Sequence, residues 1–237
     1  MSDPFIIGIT GASGAIYAHR LMRHLNDLNA EVHLVMTEHG RQVIAFEGHQ
    51  ELTSLASKIY RNDDMFAAIA SGSFRHQGMV VVPCTMASLG KMAHGIGDTL
   101  LTRAADVCLK ERRPLVVVPR ETPMHAGHFQ NQKILSNLGA VVLPANPSFY
   151  LKPQSIEDLV DTVLARVLDH LGLDHPVSRR WREMGLVRSP EPSLLAGPVA
   201  VQIDGLGSRP TELSATLLLC RQGRRPHLLG VLVDHGW

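Results

Sequence analysis

The chain is short of several things. It has only three cysteines, Cys84, Cys108 and Cys220, at wide spacings and with no CxxC pair, so a disulfide framework is excluded and the thiols read as reduced. It lacks an excess of charge of either sign: the formal net charge is +1, which gives no electrostatic case for nucleic acid or an anionic membrane as a partner. No stretch approaches the ~20 apolar residues of a membrane span. The opening segment "MSDPFIIGIT" has no basic n-region, and its apolar run is too short for a signal peptide. These absences predict a soluble, cytoplasmic protein.

What is present is ordinary for a globular chain, 45% hydrophobic and 19% charged. At 237 residues it can bury roughly 70–75% of its unfolded surface and so support its own core. Short apolar runs alternate with helical patterns. Strands are expected at "FIIGI" (5–9), "EVHLVM" (31–36), "MVVV" (79–82), "PLVVV" (114–118) and "AVVL" (140–143). Most are continuously apolar, as when both faces of a sheet are covered. A first helix carries Ala15, Ala18, Leu21, Met22, Leu25 and Leu28 on one stripe; others are expected at about 98–110 and 128–138, the latter stopped by Gly139. The clearest spans 155–172, with Ser155 and Asp158 at capping-box spacing, Gly172 closing it, and a stripe of Ile156, Leu159, Val160, Val163, Leu164, Val167, Leu168 and Leu171. This alternation predicts an α/β protein: a doubly wound parallel sheet in a three-layer αβα sandwich, Rossmann-like or flavodoxin-like, with ligands at the carboxyl ends of the strands. The composition shifts near Gly185. Residues 1–185 are expected to form that domain, and 186–237, with the runs "PVAVQID", "LSATLLLC" and "LLGVLVD", a small C-terminal β appendage.

Four stretches hold the residue types that carry chemistry. "GITGASGAIYAHRLMRHL" (8–25) joins a strand to a helix through Gly8, Gly11 and Gly14, with Ser13 among them. Thr10 stands where a dinucleotide fingerprint wants its middle glycine, and the Gly-Lys-Ser/Thr of a P-loop is missing. The loop reads either as backbone amides and a hydroxyl offered to a phosphate or an acid amide, or as a tight strand–helix turn that needs small residues. In "PCTMASLGKMAHG" (83–95), Thr85 and Ser88 bring hydroxyls to a second helix start, while Cys84 reads as a small packed residue rather than a nucleophile. In "RAADVCLKERRPLVVVPRETP" (103–123), Arg120 and Glu121 leave a strand at the ligand edge, suited to a forked phosphate contact and a proton transfer; Lys110 adds a point charge, and Arg112 and Arg113 suit a helix C-terminus. "PANPSFYLKP" (144–153) places Tyr150 and Lys152 in a loop, with Arg166 on the last helix at the edge of its buried stripe. The thirteen histidines form no metal signature, and His125 and His128 read as surface residues.

With those stretches in view, the chain resembles the UbiX-type flavin prenyltransferases over residues 5 to about 184. The blocks that match are "GASGA" (11–15), "SGSF" (71–74), the long run 103–123, "PSFY" with "PQSIEDLV" (147–160) and "RRW" (179–181). The resemblance implies a flavodoxin-like fold binding FMN and dimethylallyl phosphate. It implies alkylation of reduced FMN at N5 with ring closure at C6, no metal, and delivery of prenylated FMN to a UbiD-type decarboxylase. By the same resemblance Gly11, Ala12, Ser13, Thr37, Thr85, Met86, Ala87, Ser88 and Arg120 contact FMN, and Ser13 and Glu47 relay protons. Lys110, Arg120, Glu121, Tyr150, Arg166 and Trp181 enclose the prenyl phosphate, a neighbouring protomer of a homododecamer contributing. Thr37 and Thr85 stand where serine is common, Lys152 where arginine or glutamine is usual, and the tail 186–237 has no counterpart in the pattern. The alternatives are an FMN-dependent cysteine decarboxylase on a related fold and a non-catalytic flavin carrier.

Overall fold

The computed structural model describes residues 3–177 and the backbone of two further strands, 215–220 and 227–233. The chain divides into two compact units, Met1–Gly185 and Leu186–Trp237. In the first, the elements run β1 (Phe5–Ile9), α1 (Ala15–Asp27), β2 (Val32–Met36), α2 (Glu38–Phe46), β3 (Lys58–Tyr60), β4 (Gly78–Cys84), α3 (Met86–Ala93), α4 (Leu100–Lys110), β5 (Leu115–Pro119), α5 (Ala126–Asn137), β6 (Val141–Val142) and α6 (Ile156–His170). The strands form one sheet in the order β3-β2-β1-β4-β5-β6, every pair parallel.

The continuous apolar runs are explained by burial on both sides. Alternate residues of each strand belong to two separate cores. Phe5, Ile7, Ile9, Leu34, Val80 and Val116 pack with Leu21, Met22 and Leu25 of α1 and Val163, Leu164 and Val167 of α6. Ile6, Val35, Met79, Val81 and Val117 pack with Leu89 of α3, Leu101, Ala104 and Cys108 of α4, and Leu135 of α5. That is the expected three-layer, doubly wound, flavodoxin-like arrangement. Strand β3 escaped the sequence pattern because it is a three-residue strand at the sheet edge with Lys58 and Ile59 exposed.

Local chemistry sets the helix ends. Threonine hydroxyls cap α2 (Thr37, accepting from Gly40 N), α3 (Thr85, from Ser88 N) and α4 (Thr99, in a reciprocal box with Thr102). Gly139 and Gly172 close α5 and α6 with φ of 102° and 73°, where an L side chain would be strained. Two expectations for α6 need correction. Ser155 does accept from Asp158 N at 3.0 Å, but the Asp158 carboxylate reaches past Ser155 to Gln154 N at 2.8 Å. Ile156, placed in the buried stripe, is exposed, because the stripe begins to pack only at the next turn, at Val160. A bidentate contact joins α6 to α1: Arg20 donates to both Asp161 oxygens, at 2.7 and 2.5 Å, and His24 lies 3.0 Å from one of them.

In the second unit, β7 (Ala215–Cys220) and β8 (His227–Val233) pair antiparallel. These are the second and third of the expected β runs; the first, 198–204, lies outside the described residues. Among the described residues no helix is long and apolar enough to cross a membrane.

Candidate active site at the sheet switch point

The order of the strands reverses between β1 and β4. From β1 the chain passes to α1 on one face of the sheet, and from β4 to α3 on the other. A crevice is left at the carboxyl ends of these two strands, the standard ligand position in open parallel sheets. Thr10 spans it. Its hydroxyl donates to Pro83 O at 2.9 Å and accepts from Thr85 N at 2.7 Å, while its own N–H reaches Pro83 O at 3.2 Å. This is why a threonine occupies the place of a fingerprint glycine: it ties the two strand ends together, and glycine has no group to do so. Spacing alone offered no signal of that role.

The opening loop is a tight turn with a specific occupant. Gly14 has φ of 106°, and a Cβ at Gly11 would lie 2.6 Å from His39 Cβ, so neither position accepts a side chain without strain. The anion expected at the α1 N-terminus is supplied by the chain itself. Both carboxylate oxygens of Glu47 accept from Gly14 N, each at 3.0 Å, and one also accepts from Ala15 N at 2.7 Å. Burial works to raise the Glu47 pKa, but the Ser13 hydroxyl and the N–H groups of Ala15 and Gly14 outweigh it and hold the carboxyl below its ordinary range. The end of α1 is thereby filled, and the start of α3 lies across the crevice from it. At α3, Ser88 N and Leu89 N are both spoken for by Thr85, at 3.2 and 3.0 Å, and the amides of Met86 and Ala87 precede them.

Arg120 reaches this edge from β5. Its N–H bonds Cys84 O at 3.1 Å, and its Nε donates to Ser13 O at 3.1 Å. Ser13, Glu47, Thr85, Ser88 and Arg120 therefore meet around one strand-end crevice, with Ala12 buried beneath. Thr37 starts α2 from the neighbouring strand, its N–H on Ile9 O at 2.9 Å. The side chain of Met86 is buried in the core packed against α3 and α4. Glu121 follows Arg120 and accepts from Thr122 N at 3.1 Å. A cleft of about 490 Å³ opens at the same sheet edge over the ends of β2 and β3, lined by Arg41, Arg61, Asp63 and Asp98 among others; its two arginines were not foreseen.

Among the described residues, those expected on the prenyl phosphate are not all brought together within one chain. Tyr150 lies exposed in the loop that follows β6, at the carboxyl edge. Lys110 ends α4, just before β5 begins, and lies against Gly72 with its Nζ on Glu111. It is therefore at the amino edge, a full strand length from Arg120, or about 16 Å at ~3.3 Å per residue. Arg166 lies ten residues into α6, about 15 Å from its start at 1.5 Å per residue, exposed beside the buried Val163 and Val167 and paired with Asp169 at 2.6 Å. Trp181, with the whole "RRW" block, lies outside the described residues. Arg113 does not serve a helix end: it donates to Phe74 O and Gly72 O, both at 2.7 Å, and fixes the 71–74 loop near Lys110. Cys84 is wholly buried and burial drives its thiol pKa far up, which excludes it as a nucleophile.

Comparison with known proteins follows this geometry. The Flavoprotein family pattern matches residues 2–168. A flavin prenyltransferase UbiX from Deinococcus radiodurans is 46% identical over 181 residues, covering 75% of this chain and 93% of that protein. A crystal structure of AnUbiX (PadA1) in complex with FMN and dimethylallyl pyrophosphate superposes with a TM-score of 0.73 at 40% identity, covering 76% of this chain and 98% of the other. A dodecameric FMN-dependent UbiX-like decarboxylase from Escherichia coli O157:H7 gives 0.73 at 43% identity, covering 76% and 99%.

Proposed function

Because this chain belongs to the Flavoprotein family, and within it to the UbiX-type flavin prenyltransferases, we propose that it joins the dimethylallyl group of dimethylallyl phosphate to reduced FMN. The observation that carries the reading is the convergence of Ser13, Glu47 and Arg120 on the β1–β4 crevice. Its donor set of hydroxyls, helix-start amides and one guanidinium, around small residues, fits a phosphate monoester bearing a flat ring. Gly11, Ala12, Ser13, Thr37, Thr85, Ala87, Ser88, Arg120 and the backbone of Met86 would hold FMN. Bound and reduced, it supplies the electron-rich ring that takes up the C5 unit.

The protein's own work is on charge and protons. An allylic phosphate ionises to a delocalised cation and a highly charged leaving group. Lys110, Arg120, Tyr150 and Arg166 grip that departing phosphate; each such donor is typically worth about 2.7–4 kcal/mol of barrier. Glu121 stands beside the phosphate to handle its proton. The ionised Glu47 carboxylate exchanges a proton with Ser13 Oγ. Since Lys110 lies far from the crevice of its own chain, the site is completed by neighbouring protomers, in keeping with the dodecameric relative. We assign the chain to the cytoplasm as a homododecamer that passes prenylated FMN to a UbiD-type decarboxylase.

The test is an anaerobic mixture of the protein, FMN, dimethylallyl phosphate and dithionite, with the extracted flavin weighed. A flavin heavier by one C5 unit supports prenyltransfer; unchanged FMN supports a carrier or a cysteine decarboxylase. Co-expression of Lys110→Ala with Glu47→Gln tests the shared site. Mixed oligomers regain turnover that neither variant shows alone, and mixed oligomers as inactive as either parent refute sharing.

A further inference from the structure

Beside the flavin crevice, but outside it, three metal-ligating side chains meet. His19 lies on α1; His49 and Glu51 lie in the turn that follows α2. His19 Nδ1 and His49 Nδ1 are 3.2 Å apart, Glu51 Oε1 is 3.3 Å from the first and 3.8 Å from the second. A tetrahedral ion with ligand bonds of about 2.0–2.1 Å has its ligand atoms about 3.3–3.4 Å apart. Two of the three edges already match that figure, and Glu51, whose side chain is 56% exposed, can move to close the third. We propose that His19, His49 and Glu51 form a site for one divalent d-block cation of the zinc class, with the fourth position left to water.

The chemistry of the surroundings agrees. Both histidines are half-buried, which limits their alternatives. Without an ion, the close approach of two Nδ1 atoms needs a proton between them; a cation takes that proton's place. Two imidazoles and one carboxylate suit zinc over the oxygen-preferring magnesium and calcium. The ion would clasp α1 to the segment carrying Glu47, two residues before His49, and so stiffen the carboxylate that closes the α1 N-terminus. The site takes no part in the prenyl chemistry and does not rest on that assignment.

The full-length protein, stripped with a chelator and dialysed against Zn²⁺, is expected to retain one zinc per chain and to unfold at a higher temperature than the stripped form. Co²⁺ in its place is expected to give the intense visible absorption of tetrahedral cobalt. His49→Ala and the exposed Glu51→Gln should each lose the retained ion and the thermal shift, while His125→Ala, from the other close histidine pair with rings 3.6 Å apart, keeps both. Retention of no zinc by the unaltered chain overturns the proposal. So does equal retention by His49→Ala and Glu51→Gln, or loss in His125→Ala. No flavin enters these measurements, so their failure is separate from failure of the prenyltransfer assay.

Discussion

Replacing Glu47 by Gln removes one negative charge and one acceptor oxygen from the N-terminus of α1. In the native contact two oxygens serve Gly14 N and Ala15 N at 2.7–3.0 Å. The amide keeps one oxygen and turns an NH₂ toward a backbone donor. Leaving that donor unmatched costs about 1–3 kcal/mol, and losing the charge beside the helix end about 0.3–1 kcal/mol. Because Glu47 is only part-buried, the lower half of that sum applies, about 2 kcal/mol, or about 4–8 °C in the unfolding midpoint of a domain this size. The pH dependence separates this from a generic loss. The folded-state pKa of Glu47 is depressed, so its contribution is present above the unfolded value of 4.5 and disappears as pH falls through the lower folded value. Thermal scans of both proteins should thus show a gap at neutral pH that narrows on acidification, as protonated Glu47 comes to resemble Gln. A gap that is absent at pH 7, or one that stays constant into acid, would refute the reasoning. The same variant should bind FMN and yield no prenylated flavin.

Asp161→Asn breaks the Arg20 fork and the His24 contact that join α6 to α1, and should lower stability by about 2 kcal/mol in urea titrations. Burial tends to raise the Asp161 pKa, but its bonds to Arg20 and His24 hold it down, so the loss should be full at neutral pH and fade in acid. His76 is held near a pKa of about 4, first by burial and then by the Arg113 charge. The unfolded chain therefore takes up a proton that the folded one refuses, and stability should fall as pH drops from 6.5 toward 4; in His76→Gln the urea midpoint should lose that slope. In a Cys220→Ser chain no thiol reagent should label the native protein, because Cys84 is wholly buried and burial pushes the Cys108 thiol up to about 12. Both should react in denaturant; rapid native labelling would contradict the packing.

The sequence by itself determined the layers of this protein. A strand buried on both faces must be apolar at every position, so "FIIGI", "MVVV" and "PLVVV" announced themselves, and Ser155, Gly139 and Gly172 marked helix ends through bonds spanning three or four residues. Recognition blocks such as "RAADVCLKERRPLVVVPRETP" carried the family as well. Tertiary structure decided where those blocks go. Glu47 fills the amides of Gly14 and Ala15 from 33 and 32 residues away, Thr10 bridges to Pro83 and Thr85, and Arg113 holds carbonyls about forty residues upstream. Lys110 and Arg120 share one sequence block yet stand at opposite edges of the sheet, since a parallel strand carries the chain from one edge to the other. His19, His49 and Glu51 show no spacing that a metal motif would reveal; they meet only because the crossover after β2 sets the turn beyond α2 against α1. Local hydrogen bonds and burial periods are written in short stretches of chain, whereas the meeting of distant side chains is fixed by the order and direction of the strands.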